Sequence, residues 1–161
     1  MSDQSGVVVD QPTMQDIDSL VELWVRLASG QRRHGSHLEA EANRSRIRES
    51  ISRQIALREI HIARHADDIV GFVMYTIEGS TFTRSATRGV IQNLYVDPAF
   101  RDQGIGTELL RAGEATLEDA GADVLGLQVM ASNEAARRFY ARHGYDVHRL
   151  TMEKSTENDT A

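Results

Sequence analysis

The chain has 161 residues, 40% apolar and 26% charged, with a net charge of −6 and no cysteine. That length suffices for one domain with its own core, and the lack of thiols excludes a disulfide framework, a thiolate metal site and a cysteine nucleophile. The acidic balance, despite 17 Arg against the single Lys154, argues against a nucleic-acid partner, which selects a basic surface.

In chain order, the start MSDQSGVVVDQP lacks the basic-then-apolar order of a secretion signal. No run approaches the roughly eighteen apolar residues of a membrane span, so a cytoplasmic protein with no membrane partner is expected. Residues up to about Gly6 read as a polar end, and Val7 to Val9 as a short strand. Thr13 followed by Asp16 is a capping-box-like start. Behind it Ile17, Leu20, Val21, Trp24, Leu27 and Ala28 recur at helical spacing, which predicts a first helix over about 13–28. Ser29 to His37 reads as a glycine-containing loop. Ile47, Ile51 and Ile55 mark a second helix.

The pattern then turns to strands. Ile60 to Arg64 and Ile69 to Ile77 flank Ala66-Asp67-Asp68, a hairpin signal, and Val90 to Val96 is a third run. Ile105, Leu109, Leu110, Gly113 and Leu117 carry a helix that stops at Gly121. Val124 to Met130 is a further strand, and a helix opened by Ala131-Ser132-Asn133 runs through Arg142 to a cap at Gly144. Tyr145 to Met152 is predicted as the last strand, before a polar tail over 154–161. The whole reads as one domain over 1–161, ordered over about 6–153. Its class is α/β (α+β), with a mixed, mostly antiparallel sheet of about six to seven strands and helices on both faces.

The stretch NLYVDPAFRDQGIGTELL, Asn93 to Leu110, carries the most chemistry. A strand that runs into Gly104 and Gly106 at a helix start exposes unpaired backbone N–H groups, and the helix dipole makes them an anion site. A nucleoside-triphosphate loop needs a lysine that is absent here. A dinucleotide fingerprint needs a third glycine where Leu109 stands. The spacing that fits is Arg/Gln-x-x-Gly-x-Gly, met by Arg101, Gly104 and Gly106. By itself that spacing also suits a plain helix-start turn.

Downstream, NEAARRFYARHGY, Asn133 to Tyr145, has the pattern N-x-x-A-x-x-F-Y-x-x-x-G-[FY]. Together the two segments resemble the GNAT-type N-acetyltransferase superfamily, whose members move the acetyl group of acetyl-CoA to an amine. The resemblance implies acetyl-CoA as acyl donor, an amine acceptor, direct attack in a ternary complex and no metal. It also implies a gap beside Leu94, Tyr95 and Val96 that takes the pantetheine arm as an added strand would sit. The amide near Leu94 or Tyr95 would steady the oxyanion. Arg101, Asp102, Gln103, Gly104, Ile105, Gly106 and Thr107 would form the pyrophosphate cradle, Asn133 would hold the pantetheine arm, and Tyr140 would protonate the departing thiolate. Leu94 and Val96 also read as core, Asn133 as a helix N-cap and Phe139-Tyr140 as aromatic packing. Paired subunits are a further implication, since they are frequent in similar proteins.

The proton acceptor is not evident. Relatives place a carboxylate just before the Leu-Tyr-Val strand end, where this chain has Gln92 and Asn93. A water chain or a group such as Glu78 is the expectation. Non-catalytic acyl-CoA binding or regulation is the alternative function that the missing carboxylate supports. Arg32, Arg33, His34 and His37 could wall an acceptor that bears a carboxylate, or simply form a solvated loop. His61 and His65 share a strand face without an acidic ligand nearby, which disfavours a metal.

Overall fold

Short runs rich in Val, Ile and aromatic residues form a meander of Val7–Asp10 (β1), Ile60–His65 (β2), Asp68–Ile77 (β3) and Arg88–Val96 (β4), each antiparallel to the next. Val124–Leu127 (β5) joins the far side of β4 in parallel, giving the sheet order β1-β2-β3-β4-β5. The structure is a computed structural model that describes residues 6–32, 37, 39, 41–79 and 85–157, without the side chains of 31 and 32. Arg33 and His34 therefore lie outside the described residues.

Four helices cover the sheet: Ile17–Arg32 (α1), Arg44–Leu57 (α2), Ile105–Asp119 (α3) and Glu134–Arg142 (α4). The capping box at Thr13 forms as the sequence predicts, with Gln15 N–H on Thr13 Oγ1 and Asp16 Oδ2 on Thr13 N–H, and opens a 3₁₀ turn ahead of α1. Leu20, Val21, Ala28, Ile47 and Ile51 bury one sheet face with Ile60, Ile62, Phe72, Met74 and Tyr95. Ile105, Leu109, Leu110 and Leu117 bury the other with Ala63, Val73, Tyr75 and Ile91, and Phe139 and Tyr140 of α4 pack at that cluster's edge. Each fully buried side chain of this size contributes about 1.5–3 kcal/mol, so the two apolar clusters hold the layers together.

Three sequence expectations need correction. The first helix continues to Arg32 instead of ending at Ala28. One glycine costs a helix only about 1 kcal/mol, too little for Gly30 to end a helix anchored by Leu20, Val21, Leu23 and Val25. β5 stops at Leu127 instead of Met130, as the chain leaves the sheet there. The strand expected over Tyr145 to Met152 does not form, so the sheet has five strands among the described residues instead of six or seven. Tyr145 is tied down to α3 by its hydroxyl on Glu114 Oε2 at 2.8 Å. Beyond it Val147, Leu150 and Met152 lie exposed, at 69%, 76% and 90%, with no ladder partner.

Candidate active site

β4 has two different edges, and this positions the site. Along β3 it is paired from Gly89 to Val96. Along β5 it is paired only from Arg88 to Ile91, opposite Val124 to Leu127. Among the described residues, 92–96 thus have no strand paired on that side, which leaves the edge of Asn93, Leu94, Tyr95 and Val96 without a ladder partner there. The register with β3 slips at this point: Asn93 faces Met74 while Ile91 faces Tyr75, so Gln92 is an extra residue in a β-bulge. The bulge sends Ile91 toward α3 and brings Asn93 to the α1–α2 side.

The strand ends at Asp97, whose Oδ1 accepts the Ala99 N–H at 3.0 Å and caps a 3₁₀ turn over Pro98–Phe100. Arg101 folds back: its Nε donates to the Val96 carbonyl at 2.9 Å, and its guanidinium lies 5.5 Å from the centre of the Tyr95 ring. Asp102 and Gly104 both take left-handed backbone, at φ 62° and 83°, which aims the chain into α3. Gly104 is the N-cap of α3, and no side chain caps the helix. The first intrahelical bond is Glu108 N–H to the Gly104 carbonyl at 3.1 Å, so the amides of Ile105, Gly106 and Thr107 have no helical partner. A Cβ on Gly104 would meet nothing within 4 Å, so the space beside that residue is open. One on Gly106 would instead lie 3.5 Å from the Phe139 ring; that glycine seats α4 against the start of α3.

Asn133 is the N-cap of α4, with Oδ1 accepting the Ala136 N–H at 3.2 Å. This leaves the Nδ2 hydrogens of the same amide as donors. Two turns on, Tyr140 packs with Leu94, Val96 and Ile105 in one apolar cluster, edge-on to Tyr145 at 5.8 Å. Burial alone pushes its phenol up to about 12. The structure thus brings Leu94, Val96, Ile105, Gly106 and Tyr140 together beside the edge of β4 that β5 leaves unpaired. It turns Tyr95 toward the other face, where it packs near Phe72 at 6.3 Å.

On the α1–α2 side the bulge opens onto a cleft of about 340 Å³ lined by Trp24, Ser50, Arg53, Gln54, Leu57, Glu59, Met74, Thr76, Gln92 and Asn93. Of these, the sequence alone singles out Trp24, Gln92 and Asn93. Ser50, Gln54 and Leu57 recur at helical spacing beside the Ile47, Ile51, Ile55 stripe, a signal that could have marked this edge of α2. Glu78 does not line the cleft; it faces Arg88, with Oε2 at 3.4 Å from Nε. A further hollow of about 370 Å³, bounded by Tyr75, Thr116 and Leu117, lies on the far side of Glu59 and away from residues 92–96. Among the described residues no group of three or more His, Asp or Glu could hold a metal ion, and no helix is long and apolar enough to cross a membrane.

The Acetyltransferase (GNAT) family pattern matches residues 19–145. The chain belongs to that family. Stretches of it are similar to an "Aminoalkylphosphonate N-acetyltransferase" of Salmonella typhimurium, 42% identical over 35% of this chain and 37% of that protein. An "Uncharacterized N-acetyltransferase" of Mycobacterium bovis is 34% identical over 56% and 54%. The chain thus spans about a third to a half of the length of these curated relatives. In three dimensions it resembles the PaiA N-acetyltransferase of Thermoplasma acidophilum, a structure in complex with coenzyme A. That match has a TM-score of 0.74 and 19% identity over 90% of this chain and 92% of that one. At that identity the likeness establishes the GNAT fold.

Proposed function

We propose that this GNAT-family chain transfers the acetyl group of acetyl-CoA to a primary amine by direct attack. The observation that carries the reading is the pairing of an open β4 edge with an uncapped helix start. Residues 92–96 offer backbone groups to an extended amide arm, as an added strand would find them. The amides of Ile105, Gly106 and Thr107, with those of Gln103 and Gly104 before them, offer donors to a diphosphate at the positive end of α3. The two features adjoin, so one molecule with an amide-containing arm and a diphosphate fits both.

In this arrangement the amide near Leu94 or Tyr95 donates to the thioester oxygen as it gains charge, an effect of about 3 kcal/mol at comparable sites. Asn133 donates to the arm through Nδ2. Tyr140 meets the sulfur: its half-buried phenol stays protonated throughout the physiological range and can donate to the thiolate as the C–S bond breaks. Arg101 shapes the cradle through Val96 and Tyr95 and adds positive charge beside it.

Acetyl-CoA at millimolar concentration is expected to raise the melting temperature by mass action on the folded state, with NAD giving no shift. The opposite pattern would overturn the reading. An amine panel followed by CoA release tests turnover.

A further inference from the structure

We propose that the cleft beside the β4 bulge receives the acceptor as a primary ammonium ion, with Gln54 Oε1 taking one N–H hydrogen bond and the Glu59 carboxylate removing a proton. This rests on the acetyl-transfer reading above and adds to it the groups that hold and deprotonate the acceptor.

The first observation is an unmet acceptor. Gln54 Nε2 donates to Gln92 Oε1 at 2.8 Å, which fixes the plane of the Gln54 amide across the cleft. Its other atom, Oε1, is buried and has no hydrogen-bond partner. Buried polar atoms without partners are exceptions in folded proteins and call for a reason. Here the atom belongs to a residue that lines an open cleft, so the missing donor is supplied by whatever enters. A carboxylate or phosphate cannot supply it, because neither carries a hydrogen when ionised; an ammonium or amine can.

The second observation is charge. Among the residues lining the cleft, Glu59 is the sole carboxylate and Arg53 the sole cation. Glu59 follows Arg58, the left-handed cap of α2 at φ 58°, and its carbonyl accepts the Tyr75 N–H at 3.1 Å. Its backbone is therefore fixed to the sheet, and its carboxylate is in no ion pair among the described residues. Exposed Arg53 opposes a second ammonium, which disfavours a polyamine. Trp24, Leu57 and Met74 offer apolar wall to a carbon skeleton, and the volume suits a small molecule.

The third observation is position. Gln92 and Asn93 immediately precede Leu94, so a nitrogen held at the Gln54–Gln92 pair lies on the strand beside which the thioester would sit. The protons balance as follows. An ammonium R–NH₃⁺ gives one proton to Glu59, directly or through water. The free amine then bonds to the carbonyl carbon. The C–S bond breaks, the sulfur takes the Tyr140 proton, and the remaining surplus N–H proton returns to Tyr140 through solvent. The products are the amide, CoA thiol and one proton on Glu59, which is released to water. Glu59 thus stands in for the carboxylate missing at Gln92 and Asn93.

The test compares two amines at pH 7.5. n-Butylamine, with a pKa of about 10, has on the order of one molecule in a thousand unprotonated, whereas leucinamide, at about 8, has roughly one in four. Glu59→Gln is expected to lower kcat/KM at least about 100-fold for n-butylamine but under about tenfold for leucinamide, because only the first depends on proton removal. Gln54→Met is expected to raise KM about tenfold for both amines with kcat within about threefold, as befits a lost binding contact. Acetyl-CoA stabilisation of each variant reports that it folds and keeps the donor site. Equal losses for both amines, no loss at all, or a wild-type protein that binds acetyl-CoA but turns over neither amine would overturn this proposal alone. A wild-type protein that acetyl-CoA fails to stabilise would overturn the acetyl-transfer reading beneath it.

Discussion

Two helix starts in this molecule are finished in opposite ways, and the start of α3 packs on the far end of α4. α3 begins at Gly104, which has left-handed backbone and nothing to cap with, so its first amides receive no side-chain cap. α4 begins at Asn133, whose side chain satisfies the Ala136 amide. The two are held together where Gly106 meets Phe139 and where Thr107 Oγ1 lies 3.2 Å from His143 Nε2. A side-chain cap is worth about 1 kcal/mol, and α3 forgoes it. On the reading proposed above, the unfinished helix keeps donors for an incoming anion and the finished one positions Tyr140, so binding falls to the first and chemistry to the second.

If that division holds, the largest effect comes from α4. Tyr140→Phe removes one oxygen and is expected to lower kcat about 100-fold or more, within the usual span for a lost general acid. The dissociation constant for acetyl-CoA should stay within about threefold. Steady-state rates and calorimetric titration check both halves, and unchanged turnover would strip Tyr140 of its role. The mirror experiment is Thr107→Asp in the first turn of α3. A carboxylate there suits the helix dipole by about 0.3–1 kcal/mol, so the melting temperature should rise slightly. The same charge repels a diphosphate, and acetyl-CoA should bind at least about tenfold more weakly. Tighter binding together with higher stability would show that the helix start holds no anion.

Much of this was legible in the sequence because it rests on local chemistry. Gly104 and Gly106 after an apolar strand announce an open helix start, and Asn133 before Glu134 announces a cap; neither needs tertiary information. The β2–β3 hairpin followed from its Ala66-Asp67-Asp68 signal. What the sequence could not show depends on partners distant in the chain. Tyr145 to Met152 alternates like a strand, yet a strand exists only if another offers its edge, and none among the described residues does. Gln54 is one glutamine among several, and Gln92 only the place of an absent carboxylate, until α2 is laid across β4 and their amides meet. Glu59 is one acidic residue among many until the left-handed turn at Arg58 sets it on the cleft wall. Glu78 drew attention in sequence as a carboxylate that could accept the amine's proton, but it faces Arg88 in space.

A smaller effect is expected where the finished helix is unfinished. Asn133→Ala removes the cap and should cost about 1 kcal/mol, a fall in melting temperature of roughly 2–4 °C for a chain of this size. It should also lower kcat, because the first turn of α4 loosens beneath Tyr140. Asn133→Asp restores the cap without the Nδ2 donor. If Nδ2 holds the pantetheine arm, the aspartate variant regains stability while its KM for acetyl-CoA stays high; recovery of both would reduce Asn133 to a cap.

The smallest effect reads Tyr140 through the proton it keeps. Burial pushes the phenol up to about 12, against about 10 in an unfolded chain. The folded state therefore holds the proton longer than the unfolded state does. Stability from this source is intact below pH 10 and is lost as the pH rises from 10 through 12, at no more than about 1.4 kcal/mol per pH unit. Tyr75, raised by burial, and Tyr145, raised by burial and by its bond to Glu114, contribute in the same direction and are present in both proteins. Urea midpoints at pH 9 and pH 10.5 for wild type and Tyr140→Phe isolate the one phenol. The variant should lose less stability across that interval, by something under about 1 kcal/mol. Parallel losses would mean that Tyr140 meets solvent in the folded chain. The finished helix would then not hold its acid in the dry position that the contrast with α3 requires.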